Sequence, residues 1–197
     1  MRIVGGRLKG RNITTPTGRK TRPTSDQARE SLFNILAHAE WAPPLEDAVV
    51  ADIFAGSGAL GLEAISRGAA FCLFIEEAPG ARAAIRDNVD AMGLGGMTRV
   101  FRRDATRLKI PPSQLRGPLT HIFLDPPYDK KLWQPAIRAL LRQDLLAPDA
   151  LFILETGAEE EIVFPALTIE DERIWGAAKV TFARARHTDQ SNNDVDR

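Results

Sequence analysis

The residues AVVADIFAGSGALGLEAISRG, at positions 48–68, decide the fold of this chain. The first seven are apolar except for Asp52, which predicts a buried β-strand. A glycine-rich turn follows at Gly56-Ser57-Gly58, and the residues after it have the pattern of a helix that ends at Gly68. A strand, a tight turn and a helix in this order form the first half of a β-α-β unit.

On the C-terminal side of this unit, short apolar strands continue to alternate with helices. We predict strands at AFCLFIE (70–76), TRVFRRD (98–104), THIFLD (120–125) and ALFILE (150–155). Helices are predicted from Pro79 and around Trp133 and Ile137. Two β-prone runs within LTIEDERIWGAAKVTFARA (167–185) are expected to pair antiparallel at the sheet edge. The whole pattern predicts an α/β fold with a Rossmann-like parallel sheet covered by helices.

The N-terminal residues differ from this pattern and are strongly basic. Residues 1–23 are predicted to form a short β-hairpin and loop, after which Thr24 opens a helix with capping-box spacing to Gln27. The first 25 residues contain seven lysines and arginines and no acid, since the first acid is Asp26. Such a stretch is often only a solvated surface, but the interleaved glycines favour a defined hairpin that contacts nucleic-acid phosphates.

Composition limits the class of protein. The chain has 197 residues, 44% of them hydrophobic, and a formal net charge of zero, which suits one α/β domain with a full core. It has one cysteine, no signal-peptide pattern and no apolar run that could span a membrane, so we expect a cytoplasmic protein. We expect an extension at 1–40, a main domain at 41–186 and a disordered tail at 187–197.

The glycine loop has two possible ligands. G-x-G-x-x-G between a strand and a helix, followed by Glu76 at the end of the next strand, is compatible with a nicotinamide dinucleotide. Asp52 argues against this, because a carboxylate beside the loop would repel a pyrophosphate. S-adenosylmethionine carries a sulfonium and an ammonium instead, and both favour a nearby acid. Asp104, after the third strand, either accepts from the adenine amine of this cofactor or caps a turn.

The most specific motif is Asp125-Pro126-Pro127-Tyr128, which directly follows an apolar strand. Two prolines end the strand and fix the backbone, so the Asp125 carboxylate and the Pro126 carbonyl can converge on one NH2 group. A base amine is a poor nucleophile, and two acceptors can orient it for attack on a methyl group. Tyr128 is expected to stack on the extruded base. A rigid turn without function would explain the prolines but not the acid.

Other chemistries are disfavoured by the remaining residues. Cys72 lies inside the second strand and is expected to pack in the core, so it does not serve as the nucleophile of pyrimidine carbon-5 methylation. The three histidines are scattered without metal-ligand spacing, and His121 is expected to be a satisfied strand residue. We therefore predict no metal site.

Several segments together resemble the bacterial small-subunit ribosomal RNA guanine-N2 methyltransferases. They are RIVGGRLKGR (2–11), TRPTSDQARESLFNIL (21–36), DIFAGSGALGLEAISRGA (52–69), FIE (74–76) and DPPY (125–128). The resemblance covers about residues 1–185, and its N-terminal segments separate this family from other amino-methyltransferases. It implies a seven-stranded class I methyltransferase sheet with an antiparallel last pair and a small N-terminal extension. It further implies transfer of a methyl group from S-adenosylmethionine to one guanine of 16S ribosomal RNA, on an assembling small subunit.

The resemblance also implies roles for individual residues. The catalytic residues are Asp125, Pro126, Pro127 and Tyr128, and the cofactor-binding residues are Asp52, Phe54, Ala55, Gly56, Ser57, Gly58, Glu76, Asp104 and Ala105. The family motif adds Arg22, Thr24 and Arg29 as RNA-binding residues to those that the basic hairpin already suggests, which are Arg2, Arg7, Lys9 and Arg11. Lys130 and Lys131 either add phosphate contacts or are simply exposed. Gln27 stands where the family pattern leads us to expect a basic residue, which puts one RNA contact in question.

Three alternatives stay open at this point. DPPY also permits methylation of adenine N6 in DNA, although 197 residues leave little room for a DNA-recognition domain. A non-catalytic RNA-binding assembly factor could keep the same fold. An NAD-dependent oxidoreductase is the third alternative, which Asp52 disfavours. We expect a monomer with no membrane partner.

Overall fold

A computed structural model of the chain describes residues 1–16, 25–128 and 130–186. The predictions made for Arg22, for Thr24 and for the tail at 187–197 lie outside these residues. Within them, no helix is both long and apolar enough to cross a membrane. The division of the chain at residue 40 stays a prediction.

Four helices and seven strands make up the described chain. The helices are α1 (Asp26–His38), α2 (Ala59–Ser66), α3 (Pro79–Met92) and α4 (Trp133–Leu141). The strands are β1 (Val49–Ile53), β2 (Phe71–Ile75), β3 (Thr98–Phe101), β4 (Leu119–Leu124), β5 (Leu146–Gly157), β6 (Leu167–Trp175) and β7 (Ala178–Ala185). Each strand predicted from an apolar run is present, although β3 ends before the polar residues Arg102–Asp104.

The seven strands form one sheet in the order β3-β2-β1-β4-β5-β7-β6. The first five strands are parallel, and β7 pairs antiparallel with both β5 and β6. This confirms the predicted α/β class, the number of strands and the antiparallel last pair. The order places β7 against β5, so the final strand inserts between β5 and β6 and does not extend the outer edge of the sheet.

Helices cover both faces of the sheet and bury two apolar layers. One layer places residues of α1, α2 and α3, such as Phe33, Leu62 and Ile85, against the sheet. The other packs Trp133, Ile137 and Leu140 of α4 on the opposite face. Burial on both faces explains why the parallel strands are continuous apolar runs without polar alternation.

Helix α2 approaches β2 so closely that only glycine fits at the point of contact. A β-carbon added to Gly61 would lie 2.4 Å from Phe74 Cε1 and 2.5 Å from Cys72 Sγ. The N–H of Gly61 is 2.9 Å from the buried Asp52 carboxylate, which accepts its hydrogen bond. The helix itself begins after Gly58, which has no side chain to cap it. The strand carboxylate therefore takes the place of a cap and holds α2 against the sheet.

The N-terminal residues fold onto α2 and α3 as a short hairpin, as predicted. Arg2 and Asn12 form an antiparallel bridge around a 3-10 turn at Gly6–Leu8, and backbone hydrogen bonds join Ile3 N to Arg11 O and Ile13 N to Met1 O, each at 2.9 Å. Ser66 of α2 fixes the turn, because its Oγ accepts from Leu8 N at 2.9 Å and donates to Gly5 O at 2.6 Å. Side-chain anchors from α2 thus add to the backbone pairing of the hairpin.

The start of α1 differs from the prediction by one residue. Ser25 is the N-cap, one residue after the predicted position, and its Oγ accepts a hydrogen bond from Ala28 N at 3.1 Å. Ser25 has the same capping chemistry as threonine, and sequence spacing alone could not separate two adjacent hydroxyl residues.

A buried glutamate joins the N-terminal residues to the main domain. Glu63 of α2 is fully buried and accepts from Val4 N at 2.9 Å and from Arg67 Nε at 2.8 Å. Arg29 Nε of α1 lies 3.7 Å from the same carboxylate. One acid therefore compensates two cations and a backbone donor inside the protein, which is the condition under which a charge can be buried.

Gly61→Ala is expected to destabilise the protein by about 1–3 kcal/mol, because the added methyl group overlaps Cys72 and Phe74. Urea unfolding followed by circular dichroism measures this change. Gly80→Ala is the matched control, since a β-carbon at Gly80 meets nothing within 4 Å, and alanine there should be neutral or slightly stabilising. Equal stability of the two variants would contradict the close contact between α2 and β2.

Glu63→Ala is expected to cost roughly 3–5 kcal/mol, because it leaves the buried Arg29 guanidinium without one of its acidic partners. The free energy of unfolding is again the measurement. Glu30→Ala removes an exposed glutamate from α1 and should change stability by less than about 0.5 kcal/mol. A loss below about 1 kcal/mol for Glu63→Ala would show that the buried ion pair does not hold the N-terminal residues in place.

Candidate active site

The site lies where the strand order reverses. β1 pairs with β2 on one side and with β4 on the other, so chain connections leave in opposite directions from this point. In open α/β sheets, ligands bind outside the carboxyl ends of the strands at such a switch point. The glycine loop follows β1, and Asp125 follows β4 with its N–H donating to Ile53 O at 3.3 Å. The two predicted motifs are therefore adjacent at one edge of the sheet.

The glycine loop is a tight turn whose backbone departs from ordinary conformations. Phe54, Gly56 and Gly58 have positive φ angles of 64°, 56° and 79°. Glycines adopt such angles at no cost, whereas Phe54 is a strained residue of the kind that clusters at functional sites. Gly58 turns the chain into α2 beneath the loop, and a β-carbon there would lie 3.1 Å from Phe74 Cε1. Its role is to shape the loop, since it does not line the cleft described below.

Glu76 binds the loop from the end of β2. Its Oε2 accepts from Gly56 N at 2.9 Å, and its Oε1 accepts from Ala78 N at 2.8 Å. The carboxylate therefore fixes both the glycine loop and the turn that leads into α3. A carboxylate has about four lone-pair sites, so these two bonds are compatible with the predicted contact to a cofactor hydroxyl.

Asp52 is almost completely buried beneath the loop, at 1% exposure. Burial raises the pKa of Asp52 to about 7, the Glu76 charge adds to the increase, and the hydrogen bond from Gly61 opposes it. Near neutral pH this carboxyl group is therefore partly protonated. A cation bound in the cleft would favour its ionised form, because an opposite charge lowers the pKa of an acid.

A single large cleft brings the predicted residues together. It has a volume of about 1230 Å³, above the roughly 300–1,000 Å³ typical of a small-molecule site. All four residues of the DPPY motif line it, as do all the predicted cofactor residues except Gly58. Its lining contains five acids, Asp52, Glu76, Glu77, Asp104 and Asp125, and three basic side chains, Arg29, Arg103 and Lys130. The excess of acid suits a cationic ligand better than a pyrophosphate.

The DPPY motif forms the wall of the cleft opposite the glycine loop. Asp125 is half-buried, Pro126 is buried, and Tyr128 is 37% exposed. The Tyr128 hydroxyl donates to Glu155 Oε1 at 2.9 Å, which holds the ring from its outer end. The ring is accessible and fixed, as a stacking surface for a base must be.

Asp104 serves as a cap in the folded chain. Its Oδ1 accepts from Thr106 N at 2.8 Å and from Thr106 Oγ1 at 2.7 Å, at the start of a 3-10 turn. These hydrogen bonds hold the pKa of Asp104 below its ordinary value. Asp104 and Ala105 also line the cleft, so the capping bond and a cofactor contact are compatible.

Two sequence predictions about buried residues are confirmed. Cys72 is fully buried in β2, and burial raises the pKa of its thiol, so it is not a nucleophile. His121 is fully buried in β4, with Nε2 3.2 Å from Pro43 O and Nδ1 3.0 Å from Thr120 Oγ1. Burial lowers the pKa of His121 to about 4, so the ring is neutral at physiological pH.

The predicted RNA-binding residues are spread over a wide surface. Arg11 contacts Ala91 O near the end of α3, about 18 Å along that helix from Pro79 at the cleft. Arg7 contacts Met97 Sδ in the same region, and Lys9 is exposed. Arg2 is largely exposed and lies 3.4 Å from Asp26. These residues do not line the cleft, and RNA contact by them stays a prediction.

The prediction of an RNA-facing Arg29 is corrected by its burial. Arg29 is 1% exposed, and its guanidinium binds Asp26 at 2.9 Å, the Arg2 carbonyl, and Glu63. The side chain therefore connects α1, the N-terminal residues and α2 at the base of the cleft. Its motif position indicated importance, but only its contacts reveal that the role is structural.

Sequence analysis missed a second pocket and its buried acid. This pocket of about 470 Å³ adjoins the cleft and is lined by Tyr128 and Glu155, by residues of α1 and by Trp175–Ala178. Glu155 follows the apolar run ALFIL, as Asp125 follows HIFL, so the same pattern could have identified it. Neither a glycine loop nor a proline pair follows Glu155, so the sequence does not mark it as a site residue.

Comparisons with known proteins agree with this geometry. The family model described as conserved hypothetical protein 95 matches residues 1–184. Ribosomal RNA small subunit methyltransferase D of Escherichia coli (strain K12) is 34% identical over 198 residues, covering 100% of this chain and 94% of that protein. YlbH of Bacillus subtilis (strain 168) is 32% identical over 162 residues, covering 82% and 85% respectively. The solved structure of yhhF from Escherichia coli superposes with a TM-score of 0.77 at 34% identity, covering 94% of this chain and 97% of that one.

The sheet order, the glycine loop and the acid-lined cleft define a class I methyltransferase, for which fold and family imply S-adenosylmethionine as the methyl donor. The chain belongs to the conserved hypothetical protein 95 family, which includes the bacterial small-subunit ribosomal RNA methyltransferases D.

The pKa of Asp52 predicts how stability depends on pH. The folded pKa of about 7 exceeds the ordinary value of 3.8, so the folded state binds the proton of Asp52 more tightly than the unfolded state does. The stability that this proton provides is therefore lost as pH rises from about 4 to 7. Neutral His121 acts in the opposite direction over the same range, since its pKa is lowered. Asp52→Asn keeps His121 and an acceptor for Gly61 N, so comparing the two proteins isolates Asp52.

Urea unfolding at pH 4.5 and 7.5 measures the effect. Relative to the unsubstituted protein, Asp52→Asn should gain roughly 2–4 kcal/mol of stability over this interval, because only the aspartate has to ionise. Stability curves that stay parallel for the two proteins would show that Asp52 titrates normally.

Proposed function

We propose that this protein transfers a methyl group from S-adenosylmethionine to the exocyclic N2 amine of a guanine in 16S ribosomal RNA, within a small subunit or its assembly particle. The single observation that carries the proposal is that Asp125, Pro126 and the glycine loop line one acid-rich cleft. The name of the Escherichia coli relative supports ribosomal RNA as the substrate. The resemblance of the N-terminal segments and of DPPY to guanine-N2 methyltransferases supports the base and the atom.

The residues of the cleft fit the cofactor. S-adenosylmethionine, when bound, supplies a methyl group made electrophilic by its positive sulfonium. The five acids of the cleft favour that charge, and Asp52 can become ionised beside it. Glu76 at the end of β2 is in the position where nucleotide folds place the acid that binds a ribose hydroxyl. The volume of about 1230 Å³ accommodates a substrate group beside the cofactor.

Asp125 and Pro126 are proposed to activate the amine. The lone pair of the guanine amine is delocalised into the ring, so the amine needs orientation before it can attack. Two acceptors, the Asp125 carboxylate and the Pro126 carbonyl, can hold both N–H groups and direct the lone pair at the methyl carbon. With S-adenosylmethionine bound, a nitrogen–carbon bond would form as the carbon–sulfur bond breaks, and the sulfur would keep the electron pair. Asp125 or water would then accept the proton that the amine releases.

The remaining residues of the motif orient and shield the base. Pro126 and Pro127 lack backbone N–H donors, so they fix the loop without competing for the acceptors. Tyr128 offers its face to the base while Glu155 holds its hydroxyl. Lys130 is exposed at the edge of the cleft, where it can bind a phosphate of the same RNA strand. As a monomer acting on assembling ribosomes, the protein would work in the cytoplasm.

Asp125→Ala is expected to lower methyl transfer by roughly 100-fold or more, since it removes one of two acceptors aimed at the reacting amine. The assay is incorporation of labelled methyl into small-subunit particles from a strain that lacks the corresponding enzyme. Calorimetry with S-adenosylhomocysteine should show unchanged cofactor binding. Asp87→Ala, at an exposed aspartate of α3, is the matched control and should keep full activity.

Two results would contradict these proposals at different levels. Full activity of Asp125→Ala would remove Asp125 from the mechanism. Failure of the unsubstituted protein to label the particles, or mass mapping of the methyl group to an atom other than guanine N2, would contradict the proposed function. Labelling of duplex DNA in place of ribosomal particles would favour adenine N6 as the target.

A further inference from the structure

The second pocket lies on the substrate side of the sheet. The glycine loop and Glu76 bind the cofactor over β1 and β2, whereas this pocket lies beyond β4, next to Glu155 of β5 and the turn between β6 and β7. The residues that line it are Ser25, Gln27, Ala28, Ser31, Tyr128, Glu155, Trp175, Gly176, Ala177 and Ala178. Tyr128 and Ala177 line the cleft as well, so the two spaces share a wall at the DPPY motif. Its volume of about 470 Å³ is within the usual range of a small-molecule site.

Glu155 brings a second acceptor next to Asp125. β4 and β5 are parallel with Leu124 opposite Leu154, so the next residues, Asp125 just after β4 and Glu155 within β5, lie side by side. Neighbouring strands are about 4.8 Å apart, which places two carboxylates in adjacent positions along the edge of the sheet. Glu155 is 7% exposed, and Tyr128 donates to its Oε1 at 2.9 Å. A carboxylate has about four lone-pair sites, so a hydrogen bond from a base is compatible with the one that Tyr128 donates.

We propose that the target base enters this pocket and that Glu155 determines its identity as guanine, by accepting a hydrogen bond from guanine N1–H. The inference rests on the proposed function, because it assumes that the amine held by Asp125 and Pro126 is guanine N2. On guanine, N1–H and the N2 amine are adjacent donors on one edge, which matches two adjacent acceptors. Adenine and cytosine have a lone pair beside their exocyclic amine, and a carboxylate there repels it.

The lining of the pocket supports a base over a phosphate as the ligand. Among the described residues around the pocket, Glu155 is the one charged side chain, and it is negative. Gln27 and Ser31 of α1 offer neutral polar groups, and Tyr128 and Trp175 offer aromatic surface. Flipped bases are read by this combination of stacking and hydrogen bonds to the Watson–Crick edge. The glutamine at position 27, where a basic residue was expected, is consistent with contact to a base and not to a phosphate.

The test exchanges the guanine N1–H for a lone pair while keeping the N2 amine. Small-subunit particles are reconstituted on 16S RNA in which 2-aminopurine replaces the target guanine, once that guanine has been mapped. The unsubstituted protein should methylate guanine at least roughly 10-fold faster than 2-aminopurine. In Glu155→Gln the amide can donate to the 2-aminopurine lone pair, so the preference for guanine should fall by roughly 10-fold or more.

Three controls separate base reading from other effects. Glu161→Gln, at an exposed glutamate, should keep the guanine preference of the unsubstituted protein. Tyr128→Phe removes the hydroxyl group whose hydrogen bond Glu155 accepts. It should lower methyl transfer to both bases without changing the ratio of the two rates. S-adenosylhomocysteine binding and thermal stability show whether each variant is folded.

The outcomes are distinct. A reduced guanine preference in Glu155→Gln alone supports the inference. An equal loss on both bases in Glu155→Gln, matching Tyr128→Phe, would overturn it, because Glu155 would then act only by orienting the tyrosine. Absence of methyl transfer to guanine-bearing particles by the unsubstituted protein would instead count against the proposed function itself.

Discussion

The hydrogen bond from Gly61 N to the buried Asp52 carboxylate is the contact on which the site depends. Helix α2 has no side chain of its own to satisfy its first turn, and Asp52 reaches across from β1 to do so. The contact requires a glycine at 61, since Phe74 and Cys72 occupy the space of any side chain. Burying a carboxyl group is costly, which is why its pKa is raised to about 7. The same group therefore holds the loop and supplies a latent negative charge beneath the cleft.

The N-terminal residues and the glycine loop are connected through one side chain. Asn88 of α3 is buried, accepts from Thr14 N at 2.8 Å and donates to Thr14 O at 2.9 Å. It also lies 3.1 Å from Ser57 O in the glycine loop, to which its amide donates. Together with the buried Glu63, these contacts join the N-terminal residues to α2 and to the glycine loop.

The sequence predicted that acids near the ends of strands lie in one site, because parallel strands bring their carboxyl ends to one edge of the sheet. Glu76 and Asp125 each follow an apolar run, Asp52 lies near the end of one, and all three line the cleft as expected. Glu155 follows the same rule but was missed, since neither a glycine loop nor a proline pair marks it. Two roles were predicted for Asp104, a contact to the cofactor and the cap of a turn. Its Oδ1 accepts from Thr106 N, which is the capping role.

The sequence by itself determined the elements, the class of fold and the two motifs, because periodicity, glycines and prolines act over a few residues of chain. Only the tertiary structure decided the partners of Arg29, which was predicted on the RNA surface and lies buried against Glu63. It also decided that β7 lies between β5 and β6, and that a second pocket forms between α1 and the end of β6. Burial and pairing of this kind depend on residues that are distant in the chain, and no local pattern encodes which of them meet.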